Sequence, residues 1–205
     1  MPSEREIKLR VRDEQAVKAA LSRLSAKPCG LGNGRVHEWN TIFDTERQDL
    51  AKRGQLLRIR RQTPDSESAK VRYILTFKQP SDAEHDGHGH KVREEIETEV
   101  SDGEALKRII EGLGVKGWFV YEKYRTTMKL PDSESWARDL TIELDETPIG
   151  TFLELEGPAE AIDRAARDLG FSKEDYITNS YLGLYLDARR QSGGLPENMV
   201  FEKVK

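Results

Sequence analysis

The chain has 205 residues with 33 Lys and Arg against 37 Asp and Glu, for a net charge of −4, a size that fits one compact domain or two small ones. A hydrophobic content of 36% supports a core and argues against a disordered chain, and no apolar run approaches the ~18 residues of a membrane span. The single cysteine, Cys29, excludes an internal disulfide framework and a thiolate metal cluster, and a pI near 5.7 gives no global pull towards nucleic acid.

The N-terminal stretch Met1–Arg12 is charged throughout, unlike a signal peptide, so a cytoplasmic location is expected. It alternates: Glu4, Glu6, Lys8, Arg10 and Arg12 fall on one side of a strand, and Ile7, Leu9 and Val11 on the other. Asp13 caps a helix reaching Leu24, with Val17, Ala20, Leu21 and Leu24 at helical spacing. Lys27–Gly34, rich in Gly and Pro, reads as a loop. Further strands are predicted at His37–Asp44, Gln55–Gln62, Lys70–Lys78, Lys91–Val100, Trp118–Leu130, Arg138–Asp145 and Thr151–Glu156, eight with the first. Among them Ser101–Leu113 is a helix with a Ser101/Glu104 capping box and Gly114 as its stop; Pro158–Leu169 is a third helix, ended by Gly170. Ser180–Arg190 is a fourth. No boundary divides residues 1–190, read as one domain, and Gln191–Lys205 has no clear period and reads as a tail or surface strap.

The polar strand faces carry like charges two residues apart, about 6–7 Å along one face. Arg58 and Arg60 oppose Leu57 and Ile59, and Lys123 shares a face with Arg125. Glu95 and Glu97 oppose Ile96, Glu143 and Asp145 oppose Leu144, and Glu154 and Glu156 oppose Leu153 and Leu155. A single such strand is ordinarily the solvated side of an antiparallel sheet. Across so many strands, like-charged pairs repel unless something of opposite charge lies between them. The fold class expected is therefore α+β, an eight-stranded antiparallel β-barrel with packed helices and a charged lumen. Eight acids (Glu4, Glu6, Glu95, Glu97, Glu143, Asp145, Glu154, Glu156) meet six bases (Lys8, Arg58, Arg60, Lys78, Lys123, Arg125) there. Carboxylate oxygens suit Mg²⁺ or Mn²⁺ and Arg forks suit phosphate, so the matching ligand is a phosphate chain with bound divalent metal.

At this point the chain resembles a known family. Glu4-Arg5-Glu6-Ile7-Lys8 matches the ExExK signature of the CYTH superfamily, the triphosphate tunnel metalloenzymes that include class IV adenylyl cyclases and thiamine triphosphatases. Phe43-Asp44-Thr45, Arg58-Ile59-Arg60, Thr76-Phe77-Lys78, Arg93-Glu94-Glu95-Ile96-Glu97, Lys123-Tyr124-Arg125 and Leu153-Glu154-Leu155-Glu156 follow in order, so the resemblance spans about Ser3–Leu186. It implies a tunnel that binds a triphosphate. Glu4, Glu6, Glu154 and Glu156 would be metal ligands, with Asp145 near the metal or its waters. Lys8, Arg58, Arg60, Lys78, Lys123 and Arg125 would cradle phosphate, with Lys78, Arg58 and Lys123 the bases at the reacting phosphorus. Glu95, Glu97 and Glu143 would support them, Glu95 and Glu97 by orienting bases or taking a second metal. Ile42 stands where many members have Tyr, against a Tyr-Lys pair activating water. The segment Ile177–Leu184, with Ser180-Tyr181, is similar to the cyclase branch, although Tyr181 is equally readable as a packing residue.

Three activities share such a tunnel: a metal-dependent triphosphatase, read first; a class IV adenylyl cyclase; and a non-catalytic binder of polyphosphate or nucleotide. The expected partner is a small-molecule triphosphate, whether nucleotide, thiamine triphosphate or inorganic. A homodimer is compatible with this, and neither a membrane nor nucleic acid is expected. The run His85-Asp86-Gly87-His88-Gly89-His90 reads as a polar loop, His37 as structural, and Trp39, Trp118 and Trp136 as core.

Overall fold

Residues that alternate charge with aliphatic bulk form strands whose two faces meet different surroundings. The computed structural model describes residues 3–65, 70–81 and 89–202. Its strands are β1 (Ser3–Arg10), β2 (Lys27–Pro28), β3 (Arg35–Asp44), β4 (Leu56–Pro64), β5 (Arg72–Pro80), β6 (Lys91–Val100), β7 (Lys116–Lys129), β8 (Thr141–Thr147) and β9 (Gly150–Glu156). In the order β7-β3-β4-β5-β6-β1-β9-β8 they pair antiparallel, and β7 pairs with β8 to close an eight-stranded barrel. The two-residue β2 adds to β7. The helices are α1 (Glu14–Arg23), α2 (Asp49–Lys52), α3 (Gly103–Gly112), α4 (Ala159–Asp168) and α5 (Tyr181–Ser192).

The apolar faces pack outward under these helices. Ile7, Leu9, Ile142, Leu153 and Leu155 meet Val17 and Leu21 of α1 and Ile162, Ala165 and Ala166 of α4. Phe43 and Ile59 meet Ile110 of α3. A third cluster joins Ile42, Phe119, Tyr121 and Phe152, which share their strand faces with the charges, to Tyr181 and Tyr185 of α5 and to Met199. One end of the lumen is thus closed by apolar side chains and α5.

Two strand edges that the barrel pairing leaves open are completed by the C-terminal third of the chain. Lys8 and Ile177 exchange backbone hydrogen bonds of 2.9 Å. Met199 bonds to the carbonyl of Val120 and the N–H of Glu122, where β7 runs beyond β8. Tyr185 Oη donates to the carbonyls of Pro196 and Asn198, both at 2.9 Å. Residues 198–199 are therefore a strap, with Met199 fully buried.

Several local expectations are corrected. β1 ends at Arg10, whose exposed guanidinium lies over the Phe152 ring, so Arg10 and Arg12 do not join Glu4, Glu6 and Lys8 inside. Asp102, not Ser101, caps α3, accepting from Ala105 N at 2.8 Å. Gly103 opens α3 directly against the Tyr73 ring, where any Cβ would clash. The short α2 was not foreseen; it forms because the Asp44 carboxylate accepts from the N–H groups of Thr45, Leu50 and Ala51. Trp39 and Trp118 are on the surface, 40% and 37% exposed, whereas Trp136 packs against the first cluster under Arg164. His85 and His88 lie outside the described residues. His90 is buried with Nε2 2.8 Å from Asp163, and His37 Nε2 is 2.7 Å from Glu122.

Candidate active site

Strand parity decides what faces the lumen. β1 contributes Glu4, Glu6 and Lys8, and β9 contributes Glu154 and Glu156. Arg58 and Arg60 come from β4, Lys78 from β5, Tyr121, Lys123 and Arg125 from β7, and Glu143 from β8. These side chains line one cavity of about 260 Å³. Lys91 and Arg93 of β6, the turn Gly54–Leu56 and the start of α5 at Ser180–Leu182 complete it.

Within it, acids and bases are interleaved. Lys8 Nζ sits 2.9 Å from Glu154 and 3.2 Å from Glu6, and Lys91 reaches Glu6 at 2.9 Å. Lys78 bridges Glu4 and Glu95, the latter at 2.9 Å. Arg58 donates to Tyr121 Oη at 2.9 Å, Thr76 Oγ1 at 3.2 Å and Glu97 at 3.4 Å. Arg125 forks onto Asp145 at 2.7 and 2.6 Å and also meets Glu143 and Glu154. Lys123 Nζ is 2.9 Å from Asp145, and Tyr181 Oη donates to the same carboxylate at 2.6 Å. Lys8 and Lys123 also lie 5.3 and 4.9 Å over the Tyr181 ring.

Burial and neighbours divide the carboxyls into two classes. Burial raises Glu6, but Lys8 and Lys91 outweigh it and bring the group to about 2. Glu154 is held well below the usual range, because Lys8, Arg125 and Lys123 overcome its burial. Glu156 is pushed up to about 7 by burial and by Glu4, Glu6 and Glu154, against the pull of Lys78; among the described residues it makes no ion pair. Glu143 rises to about 7 through burial, with Glu154 and Asp145 adding to it against Arg125. Glu95 reaches about 9 through burial and its hydrogen bond with Glu4. The bases Lys8, Arg58, Lys78 and Arg125 lose stability as cations through burial, yet their carboxylate or phenol partners more than restore it and all four are raised.

Of the fourteen residues singled out in sequence, twelve take part in the contacts above, and Glu156 lines the cavity without an ion pair among the described residues. Arg60 meets Glu97 at 3.9 Å. Asp145 is fully buried behind the cavity wall, its oxygens taken by Arg125, Lys123 and Tyr181. Sequence reasoning missed Glu38, Asn40, Tyr121 and Lys91. Glu38 and Asn40 on β3 are fully buried; their signal was the polar parity Glu38/Asn40 opposite Trp39 and Thr41.

The donor set consists of carboxylate oxygens, the chemistry that Mg²⁺ and Mn²⁺ prefer. Among the described residues no three His, Cys, Asp or Glu side chains already converge as a cage. Glu156, crowded by Glu4, Glu6 and Glu154 with Lys78 only partly offsetting them, is where added positive charge would be best accommodated.

A CYTH domain model matches residues 2–181. A protein of Methanocaldococcus jannaschii, provisionally named an adenylate cyclase, is 27% identical over 184 residues, covering 87% of this chain and 96% of that relative. The fold is shared with a Vibrio parahaemolyticus protein, likewise provisionally named an adenylate cyclase, at TM-score 0.71 and 17% identity over 89% of this chain and 97% of that one. It is also shared with a provisionally named adenylyl cyclase of Hippeastrum, described as having a dominant triphosphatase activity, at TM-score 0.52 and 22% identity over 94% and 97% of the two chains. With a family match across nearly the whole barrel, this chain belongs to the CYTH domain family.

Proposed function

We propose that the chain is a divalent-metal-dependent enzyme acting on triphosphate, and that its reaction is hydrolysis of a phosphoanhydride bond. The observation that carries this reading is the single cavity of about 260 Å³ walled by Arg58, Arg60, Lys78, Lys123 and Arg125 together with Glu4, Glu6, Glu154 and Glu156.

The Arg forks of Arg58, Arg60 and Arg125 bind phosphate oxygens, and Lys8, Lys78 and Lys123 add point charges. Although burial disfavours their charge, neighbouring carboxylates, and for Arg58 the Tyr121 phenol, keep Lys8, Arg58 and Arg125 cationic. Arg58, Lys78 and Lys123 stabilise charge at the reacting phosphorus and on the departing oxygen. Glu4, Glu6, Glu154 and Glu156 would hold Mg²⁺ or Mn²⁺, which supplies neutralisation of phosphate charge. We assign Asp145 to orienting Arg125, Lys123 and Tyr181, and Glu97 to orienting Arg58; Glu95 and Glu143 support Lys78 and Arg125 in the same way.

A second reading, a class IV adenylyl cyclase, is favoured by the name of the M. jannaschii relative. There the ribose 3′-hydroxyl attacks the α-phosphorus of ATP and pyrophosphate leaves. A purely binding role fits less well, since an anion binder has little use for so many carboxylates. The test is the product set from inorganic triphosphate and from ATP with Mg²⁺ or Mn²⁺. Release of orthophosphate from both supports the hydrolase, cyclic AMP with pyrophosphate supports the cyclase, and neither overturns the enzyme reading.

A further inference from the structure

One phenol of the lumen is unlike the others, and no part of the scheme above uses it. Tyr121 is 5% exposed and lines the same cavity as Arg58, Arg60, Lys123 and Arg125. Its Oη accepts from Arg58 Nη1 at 2.9 Å, while its own hydrogen meets no acceptor among the described residues. Three other tyrosines spend that hydrogen within the protein. Tyr181 donates to Asp145 at 2.6 Å, Tyr176 to Asp163 at 3.0 Å, and Tyr185 to the carbonyls of Pro196 and Asn198. Burial raises all three of those phenols above their ordinary value, and the carboxylate partners of Tyr176 and Tyr181 add to it. Burial resists ionisation of Tyr121 as well, but Arg58, Lys123 and Arg60 outweigh it, and this phenol is lowered.

Its surroundings account for the difference. Arg58 and Arg60 act on it from β4, and Lys123 stands two residues further along β7 on the same face. On β3 its neighbours are Asn40, its partner across the sheet, and Ile42, and neither titrates. From α5 the Tyr181 ring comes within 6.3 Å with its hydroxyl given to Asp145. Among the described residues no carboxylate pairs with Tyr121 directly. A hydroxyl hydrogen without a protein acceptor, on the wall of a cavity lined by phosphate-binding cations, is a donor for what enters that cavity. Ionised phosphate oxygens only accept. Because three cations stabilise the phenolate, the donation can go on to full proton transfer.

The geometry points to Tyr121 as the catalytic acid of the hydrolysis, giving its phenol hydrogen to the bridging oxygen that leaves the phosphorus held beside Arg58. This assignment rests on the hydrolase reading. The oxygen of the attacking water forms the new P–O bond as the bridging P–O bond breaks. The departing diphosphate oxygen keeps the electron pair and takes the phenol proton. The tyrosinate left among Arg58, Arg60 and Lys123 recovers a proton from the water, whose other hydrogen stays on the phosphate released. Inorganic triphosphate and water thus become hydrogen phosphate and hydrogen diphosphate, and Tyr121 ends as it began.

The test compares the parent, Tyr121→Phe, and a protein carrying a ring-difluorinated tyrosine at position 121, on inorganic triphosphate with Mn²⁺. Tyr121→Phe is expected to lower kcat by about 100-fold, the lower end of what a positioned acid contributes, with the calorimetric affinity for triphosphate changed far less. An acid works only while protonated, so kcat of the parent falls on the alkaline side. The fluorinated phenol is more acidic and moves that fall to lower pH. A merely structural Tyr121 leaves the profile where it is, because the fluorinated ring keeps the bond from Arg58. Should Tyr121→Phe melt below the parent, the fluorinated protein decides alone. Parent-like kcat in Tyr121→Phe, or an alkaline limb that fluorination does not move, overturns the assignment while leaving the hydrolase reading intact. A parent that releases no orthophosphate from triphosphate defeats the hydrolase reading, and this assignment with it.

Discussion

Glu156 gives the most direct physical test of the lumen as a site for positive charge. Its carboxyl is raised from 4.5 to about 7 by burial and by Glu4, Glu6 and Glu154. Because the folded-state value exceeds the unfolded one, its contribution is fully present below pH 4.5 and is lost as the pH rises through 7. At about 1.4 kcal/mol per pH unit, the full loss is about 3 kcal/mol, of which about 2 kcal/mol falls between pH 5.5 and pH 8. Glu143 and Glu95 are raised too and tilt the curve in the same direction. The lowered carboxyls Glu6, Glu38 and Glu154 stabilise the fold above the unfolded value and lose that only in acid, so they are flat across this window. Metal-free protein is therefore expected to melt lower at pH 8 than at pH 5.5. Glu156 alone should account for about 4–8 °C of the difference, at 2–4 °C per kcal/mol for a chain of this size. Scanning calorimetry in chelator, repeated on Glu156→Gln and on the parent with Mn²⁺, measures it. Both should flatten the slope, the first by removing the carboxyl and the second by giving it a cation. A Gln variant that keeps the parent's slope refutes the reasoning.

Other expectations separate the two charge sets. Glu4→Gln and Glu154→Gln should weaken metal affinity and regain activity at high Mn²⁺, since one ligand of several is lost; Arg58→Ala and Lys78→Ala should lower triphosphate turnover at every Mn²⁺ concentration. Parent-like turnover in all four would remove the tunnel from the function. Arg125→Met should cost about 3–5 kcal/mol in urea unfolding, because Asp145, Glu143 and Glu154 lose a shared buried partner; a loss below 1 kcal/mol would mean that the fork is not structural. Met199→Ala should cost about 2–5 kcal/mol, since the side chain is fully buried between β7 and α5, and an unchanged midpoint would show the strap to be dispensable.

The barrel was legible because strand parity is a strict code: Arg58 and Arg60 cannot face the lumen unless Leu57 and Ile59 face α3, and one register slip reverses both. For the same reason the charged set was assembled from Glu4 to Glu156 without knowledge of any contact. What escaped followed from rules that parity does not contain. Glu38 and Asn40 were passed over because they carry no like-charged repeat, although they sit on the lumen face of β3. Tyr121 looked like core, and it is core, yet its phenol receives Arg58. Lys91 lies where β6 begins and pairs with Glu6 across β1, a contact set by barrel closure and not by local sequence. Trp39 and Trp118 read as core on hydrophobicity, but their positions on β3 and β7 belong to the outer face, where they are partly exposed. The strap at 198–199 has no period of its own because its bonds are to the edge of β7.

The pairing of acids with bases explains how so charged an interior folds before any ligand arrives. Lys8, Lys78, Lys123 and Arg125 each have a carboxylate within 3 Å, so the desolvation of each cation is offset inside the barrel. A triphosphate binding to these bases has to take the place of carboxylates already there. The carboxylates it releases would be left buried and unpaired unless a divalent cation took them up, at a cost of several kcal/mol per ion. Phosphate and metal therefore suit one another's presence: each creates the unbalanced charge that the other neutralises. Glu156, crowded by Glu4, Glu6 and Glu154 against the opposing pull of Lys78, is the carboxyl in the cavity with most to gain from added positive charge.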